Sequence, residues 1–113
     1  MPSADELLPG YSPITLDTLT AAGVTESGLG YSASALTYQV TITGIGTNVV
    51  LRFEGSLDGT NYFNLDQTNV DTTITANGTY GFCLNGCPIN YARLRVVSVS
   101  GGTPSIAAKL RGI

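Results

Sequence analysis

The fold of this chain is decided by the stretch Leu36-Thr37-Tyr38-Gln39-Val40-Thr41-Ile42-Thr43, in which apolar and polar residues alternate. Successive side chains of a β-strand point to opposite faces, so the alternation predicts a strand with one buried and one solvated face. No window of the sequence shows the apolar stripe of a capped helix. Further strands are predicted at residues 14–20, 49–54, 61–65, 70–76, 79–84, 92–97 and 106–111.

Residues typical of tight turns lie between the predicted strands. The segment 44–48 is predicted to close a hairpin, and Asp58-Gly59, Asn77-Gly78 and Gly101-Gly102 are predicted turns. About eight short strands with such links predict an all-β fold, an antiparallel β-sandwich or jelly roll, with an up-and-down barrel as the main alternative. The aromatic residues on core-facing positions are Tyr38, Phe53 and Phe63.

The beginning of the chain differs from the rest in composition. It contains three prolines and a glycine, at Pro2, Pro9, Gly10 and Pro13. Prolines at this density favour extended backbone, so residues 1–13 are predicted to form an N-terminal arm and residues 14–113 one sandwich domain. The acidic start, with Asp5 and Glu6, lacks the basic and apolar regions of a signal peptide. Synthesis in the cytoplasm is expected, and no stretch has the ~20 apolar residues of a membrane span.

Charged residues are scarce. They make up 12% of the chain, against roughly 25% in typical soluble domains, and Thr, Ser, Asn and Gly take their places. Such a surface loses little free energy when it is desolvated. Two interpretations are open at this point: a naturally neutral β-protein, or a surface that partners cover in an assembly. The net charge of −3 argues against nucleic-acid binding through a basic face.

The basic residues occupy the second part of the chain. All five fall on off-core positions of three predicted strands: Arg52, Arg93, Arg95, Lys109 and Arg111. We expect them to share one sheet face. Either they are ordinary solvated strand positions, or they form a basic patch that contacts an acidic segment of a neighbouring molecule. The acidic arm residues Asp5 and Glu6 are one candidate for that segment.

The residue types restrict the available chemistry. The sequence has no histidine, which excludes Ser–His and Cys–His nucleophile pairs and histidine zinc sites. A pair of carboxylates remains as hydrolase chemistry, but no pattern marks a candidate as buried or coupled. We therefore expect no enzyme activity, no cofactor and no metal. The carboxylate candidates are Glu54, Asp58, Asp66 and Asp71.

Two short motifs have both a structural and a chemical interpretation. Asp58-Gly59-Thr60-Asn61 lacks the further oxygen ligands of a calcium loop, so we predict a turn with the aspartate as its cap and the glycine at positive φ. Cys83 and Cys87 are predicted to be free thiols, since cytoplasmic proteins rarely form disulfides. A disulfide, if Asn85-Gly86 closes a tight hairpin, and a metal shared between subunits are the alternatives.

Four segments of the second half occur in a distinctive order: Phe53-Glu54-Gly55-Ser56-Leu57-Asp58-Gly59-Thr60-Asn61-Tyr62-Phe63-Asn64-Leu65, Thr75-Ala76-Asn77-Gly78-Thr79-Tyr80, Pro88-Ile89-Asn90-Tyr91-Ala92-Arg93-Leu94-Arg95 and Ser100-Gly101-Gly102-Thr103-Pro104-Ser105-Ile106. The order, which covers residues 36–112, resembles small β-sandwich virion proteins of tailed bacteriophages, of the head decoration or cement type. Related modules also occur on tails and fibres. The resemblance implies scaffold roles for the Asp58-Gly59 turn and places Arg93 and Arg95 on the exposed face of a central strand.

The resemblance implies a virion structural protein that binds the outer surface of the capsid and stabilises the shell, after synthesis in the bacterial host cytoplasm. Its implied partners are the major capsid protein and neighbouring copies of itself, in a homo-oligomer such as a trimer, with neither nucleic acid nor a membrane. The short length favours this role over that of a fibre. The residues expected to contact partners are Pro9, Tyr11, Pro13, Arg52, Arg93, Arg95, Lys109 and Arg111.

A second function is carried as the alternative, that of a carbohydrate- or receptor-binding β-sandwich module of a phage tail or fibre. It requires an exposed aromatic platform or groove, with Tyr31, Tyr62 and Tyr91 as the candidates. Flat sugar-binding platforms usually include tryptophan, which this sequence lacks.

Overall fold

The computed structural model describes residues 13–26, 28–66 and 68–113, with the side chains of residues 29–32 left aside. Every strand pairing among them is antiparallel, and none of these residues forms a helix, so none forms a helix long enough to cross a membrane. The predictions of an all-β chain and of antiparallel pairing are confirmed. The strands are β1 (Ile14–Thr15), β2 (Gly23–Val24), β3 (Gly28–Ser56), β4 (Phe63–Asn64), β5 (Thr72–Ile74) and β6 (Gly78–Gly112).

The two long strands, β3 and β6, pair with each other twice. Residues 28–42 of β3 pair with residues 78–92, and residues 36–56 pair with residues 91–112. The stretch 36–42 therefore lies between two stretches of β6, and Tyr38, for example, is opposite both Phe82 and Leu110. This double pairing explains why the sequence alternates most regularly there, because a strand with a neighbour on each side is restricted to one register.

The short strands extend the edges of this arrangement. β1 pairs with residues 109–110, and β2 pairs with residues 95–96. β4 and β5 pair with the second half of β3, opposite residues 54–55 and 49–51. Residues 14–20 were predicted as one strand, but only Ile14–Thr15 form a strand. In the rest of that segment one isolated β-bridge is present, between Leu19 and Ile106.

The described part of the chain contains six strands, because several of the predicted strands are continuous with one another in β3 and β6. The predictions of a hairpin at 44–48 and of a turn at Gly101-Gly102 are wrong. Strands β3 and β6 stay paired through these positions and bend together, with Ile45 opposite Gly102. Glycine permits the bend: a Cβ on Gly46 would lie 2.3 Å from the carbonyl carbon of Gly101, and Gly102 has a φ of +69°. The sandwich or jelly-roll arrangement of the bent strands stays a prediction.

One cluster of buried apolar side chains holds the bent strands together. Phe53 is at its centre, with its ring centroid 4.7 Å from the centroids of both Tyr38 and Phe82. Burial of Tyr38 and Phe53 was predicted and is confirmed, whereas Phe63 is 45% exposed because it lies in the two-residue strand β4. Most other members of the cluster are Leu36, Val40, Ile42, Val49, Leu51, Ile89, Leu94, Val96, Ile106 and Leu110.

Candidate functional site

The charged side chains of the second half of β3 meet those of β6 on one surface, and Asp71, which directly precedes β5, joins them there. We call this surface the charged face: Arg52, Glu54, Asp71, Arg93 and Arg95. In the register of the two strands Arg52 is opposite Arg95, and Glu54 is opposite Arg93. On these two strands the sequence neighbours of the charged residues, including Phe53 and Leu94, are buried in the core. Because side chains of a strand alternate, the charged groups project from the opposite surface.

Glu54 is shared by two arginines. Nε of Arg93 donates to Oε1 at 2.8 Å, and Nε of Arg95 donates to Oε2 at 2.9 Å. The Glu54 side chain is only 5% exposed, while those of Arg93 and Arg95 are 19% and 36% exposed. Two guanidinium groups thus compensate one buried carboxylate, which makes its burial tolerable in the charged form.

Arg93 also contacts two tyrosines, one through its side chain and one through its backbone. Its guanidinium carbon lies 3.7 Å from the centroid of the Tyr62 ring, a cation–π contact. Its backbone carbonyl accepts a long hydrogen bond from the Tyr38 hydroxyl, at 3.4 Å. Burial, with a smaller effect from the Glu54 charge, raises the pKa of Tyr38 far above its ordinary value, so the hydroxyl remains a neutral donor.

Arg52 forms the third ion pair of the charged face. Its Nε and Nη2 donate to the two carboxylate oxygens of Asp71 at 2.8 and 3.1 Å, and Asn64 donates to the same carboxylate at 3.5 Å. The hydrogen bond from Arg52 lowers the pKa of Asp71. Three arginines and two carboxylates leave the charged face with a small positive excess, carried by guanidinium groups that are partly open to solvent.

Lys109 and Arg111 lie elsewhere. They are exposed on the last part of β6, opposite Gln39 and Thr37, and line an open cleft of ≈ 420 Å³ together with Pro13. The strand register therefore places the five basic residues in two groups, opposite different parts of β3, and the expectation of a single shared face stays a prediction. Their partner-binding role stays a prediction, as does that of Pro13. Pro9 and Tyr11 lie outside the described residues.

The loop between β3 and β4 is organised by Asp58. Its Oδ1 accepts hydrogen bonds from the backbone N–H groups of Thr60 and Asn61, each at 2.8 Å, and from the Ser56 hydroxyl at 2.9 Å. These hydrogen bonds, led by that from Asn61, hold the pKa of Asp58 well below its ordinary value. Gly59 has a φ of +77°, so the predicted aspartate-capped turn is confirmed.

The carboxylates proposed as alternatives for hydrolase chemistry all have structural partners. Glu54 and Asp71 are paired with arginines, Asp58 caps its own turn, and Asp66 accepts hydrogen bonds from the backbone and hydroxyl of Thr68 at 2.8 and 2.7 Å. These bonds lower the pKa of Asp66. Among residues 13–26, 28–66 and 68–113, no three Asp, Glu or Cys side chains are grouped as a metal site.

Cys83 and Cys87 do not form the alternative disulfide with each other. The hairpin that would have brought them face to face is absent, because Asn85 is opposite Ala35 and Ile89 is opposite Ala33. Four steps along β6 thus match two along β3, so the chain bulges and continues in the same direction. Gly86, with a φ of +95°, supplies the backbone conformation that the bulge requires.

The structure describes the surroundings of two of the three tyrosines proposed for a sugar-binding platform. Arg93 covers one face of the Tyr62 ring, and the Tyr91 ring lies against Gly59, where an added Cβ would be 3.3 Å from it. The Tyr31 side chain lies outside what the structure describes. The Tyr62 and Tyr91 rings therefore have at least one surface occupied within the chain.

One feature of β6 was not identified from the sequence. Residues 78–84, which we call the open edge, pair with residues 36–42 on one side, and no described strand lies on the other. Residues 79–84 of the open edge were predicted as a strand, but their position at the outside depends on pairings far apart in the chain. One signal was present: no charged residue occurs between Asp71 and Arg93.

Comparison with known proteins gives a likeness of fold. No protein-family model and no curated protein matches the chain. The crystal structure of the SPBc2 prophage-derived protein YomS is similar, with a TM-score of 0.53 and 19% sequence identity. The similarity covers 88% of this chain and 91% of that one, so it extends over most of both chains.

Proposed function

We propose that the chain is a structural protein of a tailed-bacteriophage particle, which decorates the outside of the capsid and stabilises the shell. The observation that carries the proposal is the similarity to a prophage-derived protein over nearly the full length of both chains. It agrees with the order of turn and strand motifs that resembles virion modules. In this proposal the protein acts by surface contact and is not an enzyme.

The distribution of charge supports an assembly role. Glu54 and Asp71 compensate Arg52, Arg93 and Arg95 within the chain, so a partner that covers this surface need not desolvate isolated charges. The remaining polar surface is mostly Ser, Thr, Asn and Gly. The partly open guanidinium groups of Arg52 and Arg95 are suited to acidic groups of a capsid protein, since arginine binds carboxylates through several donors.

The proposed architecture is a two-layer sandwich. In it, residues 36–43 with their neighbours form one layer, and residues 48–56 with theirs form the other. The contact of Phe82 with Phe53 supports this arrangement, because the two residues belong to different groups of paired segments. The Tyr38 hydroxyl likewise donates to the carbonyl of Glu54 at 3.4 Å, from the first group to the second.

Shell stabilisation follows from repetition. A single contact of modest area gives weak binding, but an oligomer with several such contacts gains from a high effective concentration of the second and third. We propose that neighbouring copies touch each other on the capsid, and that the arm, with Pro9, Tyr11 and Pro13, lies across the joint between capsid subunits.

The experiment is to mix purified protein with undecorated particles of its phage and to locate it by electron microscopy. We expect regularly spaced density on the outer capsid surface and a higher temperature of shell disruption. Density confined to the tail would contradict the proposal. Deletion of residues 1–13 tests the arm separately: it should abolish decoration and leave the unfolding transition unchanged, whereas equal decoration would rule out the arm as a contact.

The sugar- or receptor-binding alternative predicts a different result. A glycan array with a clear sugar preference, lost on substitution of Tyr62 or Tyr91, would favour it over decoration. The partial cover of both rings by Arg93 and Gly59 gives the alternative no structural support.

A further inference from the structure

The open edge, residues 78–84, is paired along only one side among the described residues. On its inner side each residue has a partner in β3, from Gly78 opposite Ile42 to Leu84 opposite Leu36. Its outer side is not paired by any strand among the described residues. Thr79, Gly81 and Cys83 are exposed, while the side chains that alternate with them are only half-buried against the core.

The open edge lacks the features by which natural edge strands avoid further pairing. Proteins protect edges with very short strands, with charged side chains, with proline or with bulges. β1, β2 and β4 are protected by length, since each has two residues, and β5 has three. The open edge is longer than any of them, contains no charged residue and no proline, and pairs in unbroken register from 78 to 84.

We propose that the open edge pairs with the open edge of a second copy of this chain, antiparallel and across a two-fold axis. The absence of charge is what self-pairing requires, because a two-fold axis places every residue near its own copy and any charge near a like charge. The N-terminal arm is less suited to pair with the open edge, because Pro2, Pro9 and Pro13 have no backbone N–H to donate to a neighbouring strand. Self-pairing goes beyond capsid binding and does not depend on it.

The register of this pairing follows from the fold. Residues that project from the same surface must meet, so exposed residues face exposed residues. Full overlap of residues 78–84 then centres the axis on Gly81, with Thr79 of one copy opposite Cys83 of the other. Gly81 is the residue with the least bulk at the point of closest approach, and a Cβ built on it has no heavy atom within 4 Å of its own chain.

Gly81→Lys is the direct test. The open space around Gly81 lets the lysine enter without a clash, and two lysines then face each other at the axis. Gly23→Lys is the matched control, because Gly23 also lies in an edge strand with nothing within 4 Å of an added Cβ. Sedimentation velocity over a concentration series measures the dimer, and a denaturation curve verifies that each variant is folded.

We expect the unmodified chain and Gly23→Lys to dimerise equally, and Gly81→Lys to raise the dissociation constant at least about tenfold. A chain that stays monomeric throughout, or an oligomer that Gly81→Lys leaves unchanged, would overturn the proposal. Because the isolated protein is measured, neither outcome depends on whether it decorates a capsid.

A crosslink tests the register. Thr79→Cys places a new thiol opposite Cys83 of the second copy, whereas within one chain the two positions are four residues apart along an extended strand and too distant for a disulfide. Mild oxidation should give a covalent dimer that is lost when Gly81→Lys is added. Equal crosslinking with and without Gly81→Lys would show that the dimer uses another surface.

Discussion

The charged face and the open edge treat charge in opposite ways. The charged face contains most of the charged side chains of the strands, and they are paired within the chain. Its members are Arg52, Glu54, Arg93 and Arg95, with Asp71 from the segment before β5. The open edge, residues 78–84, has no charge at all. Three of the five basic residues of the chain thus form internal ion pairs, while the open edge has no charged side chain that would hinder pairing with a further strand.

The difference indicates two roles for the two regions. Internal ion pairs fix β3 and β6 in one register, because Glu54 bonds to arginines on the neighbouring strand only when the strands are aligned as observed. An uncharged edge has no such preference of its own and accepts a further strand. Substitutions that separate stability from association therefore test these two roles, and their expected effects decrease from Glu54→Gln to Gly81→Ala.

The largest effect is expected for Glu54→Gln. The change keeps the shape of the side chain but removes the charge that compensates Arg93 and Arg95, so we expect a loss of about 3 kcal/mol in the free energy of unfolding. Urea denaturation measures it. Glu26→Gln is the control, since Glu26 is exposed, and should change stability by less than about 0.5 kcal/mol. Equal effects of the two variants would mean that the charged face does not stabilise the fold.

Ser56→Ala tests the loop that adjoins the charged face. The buried Ser56 hydroxyl accepts hydrogen bonds from the N–H groups of Asp58 and Gly59, at 3.2 and 2.9 Å. Its removal leaves these donors without the partner, and we expect a loss of about 2 kcal/mol, measured by thermal or urea denaturation. The exposed Ser98→Ala serves for comparison. A loss no larger than that of Ser98→Ala would show that water replaces the hydroxyl.

Asp71→Asn should have a smaller effect, below about 1 kcal/mol, because its pair with Arg52 is partly exposed. The pH dependence is specific. Since Arg52 lowers the pKa of Asp71 in the folded state, the pair contributes fully above the ordinary aspartate pKa of about 4 and loses its contribution as pH falls through the lowered value. Denaturation curves of both proteins should therefore converge on acidification, and a constant difference would contradict the assignment.

The smallest effect is expected for Gly81→Ala. Glycine in a strand is entropically costly and Gly81 has room for a methyl group, so we expect a gain of about 0.5 kcal/mol with dimerisation retained. Gly55→Ala is the contrasting variant, because its Cβ would lie 2.7 Å from Leu65 and 2.9 Å from Ile89. It should destabilise the protein. Loss of the dimer in Gly81→Ala would count against a central position of residue 81.

Local patterns in the sequence determined the fold class and one turn. The alternation in 36–43 predicts a strand because the side-chain period belongs to the extended backbone itself. The Asp58-Gly59 turn is predictable for a similar reason, since its hydrogen bonds and its positive φ involve residues that are adjacent in the chain. The burial of Tyr38 and Phe53 followed from the same alternation.

Only the tertiary structure decided how the strands meet. Glycines at 46 and 102 serve equally for a hairpin or for a bend of two paired strands, and the bend occurs because β3 and β6 pair along their whole length. The same long-range register places Lys109 and Arg111 opposite Gln39 and Thr37, away from Arg52, and leaves residues 78–84 at the outside of the described strands. A strand carries the same local signal at the centre or at the edge of a sheet, because its neighbours come from distant parts of the chain.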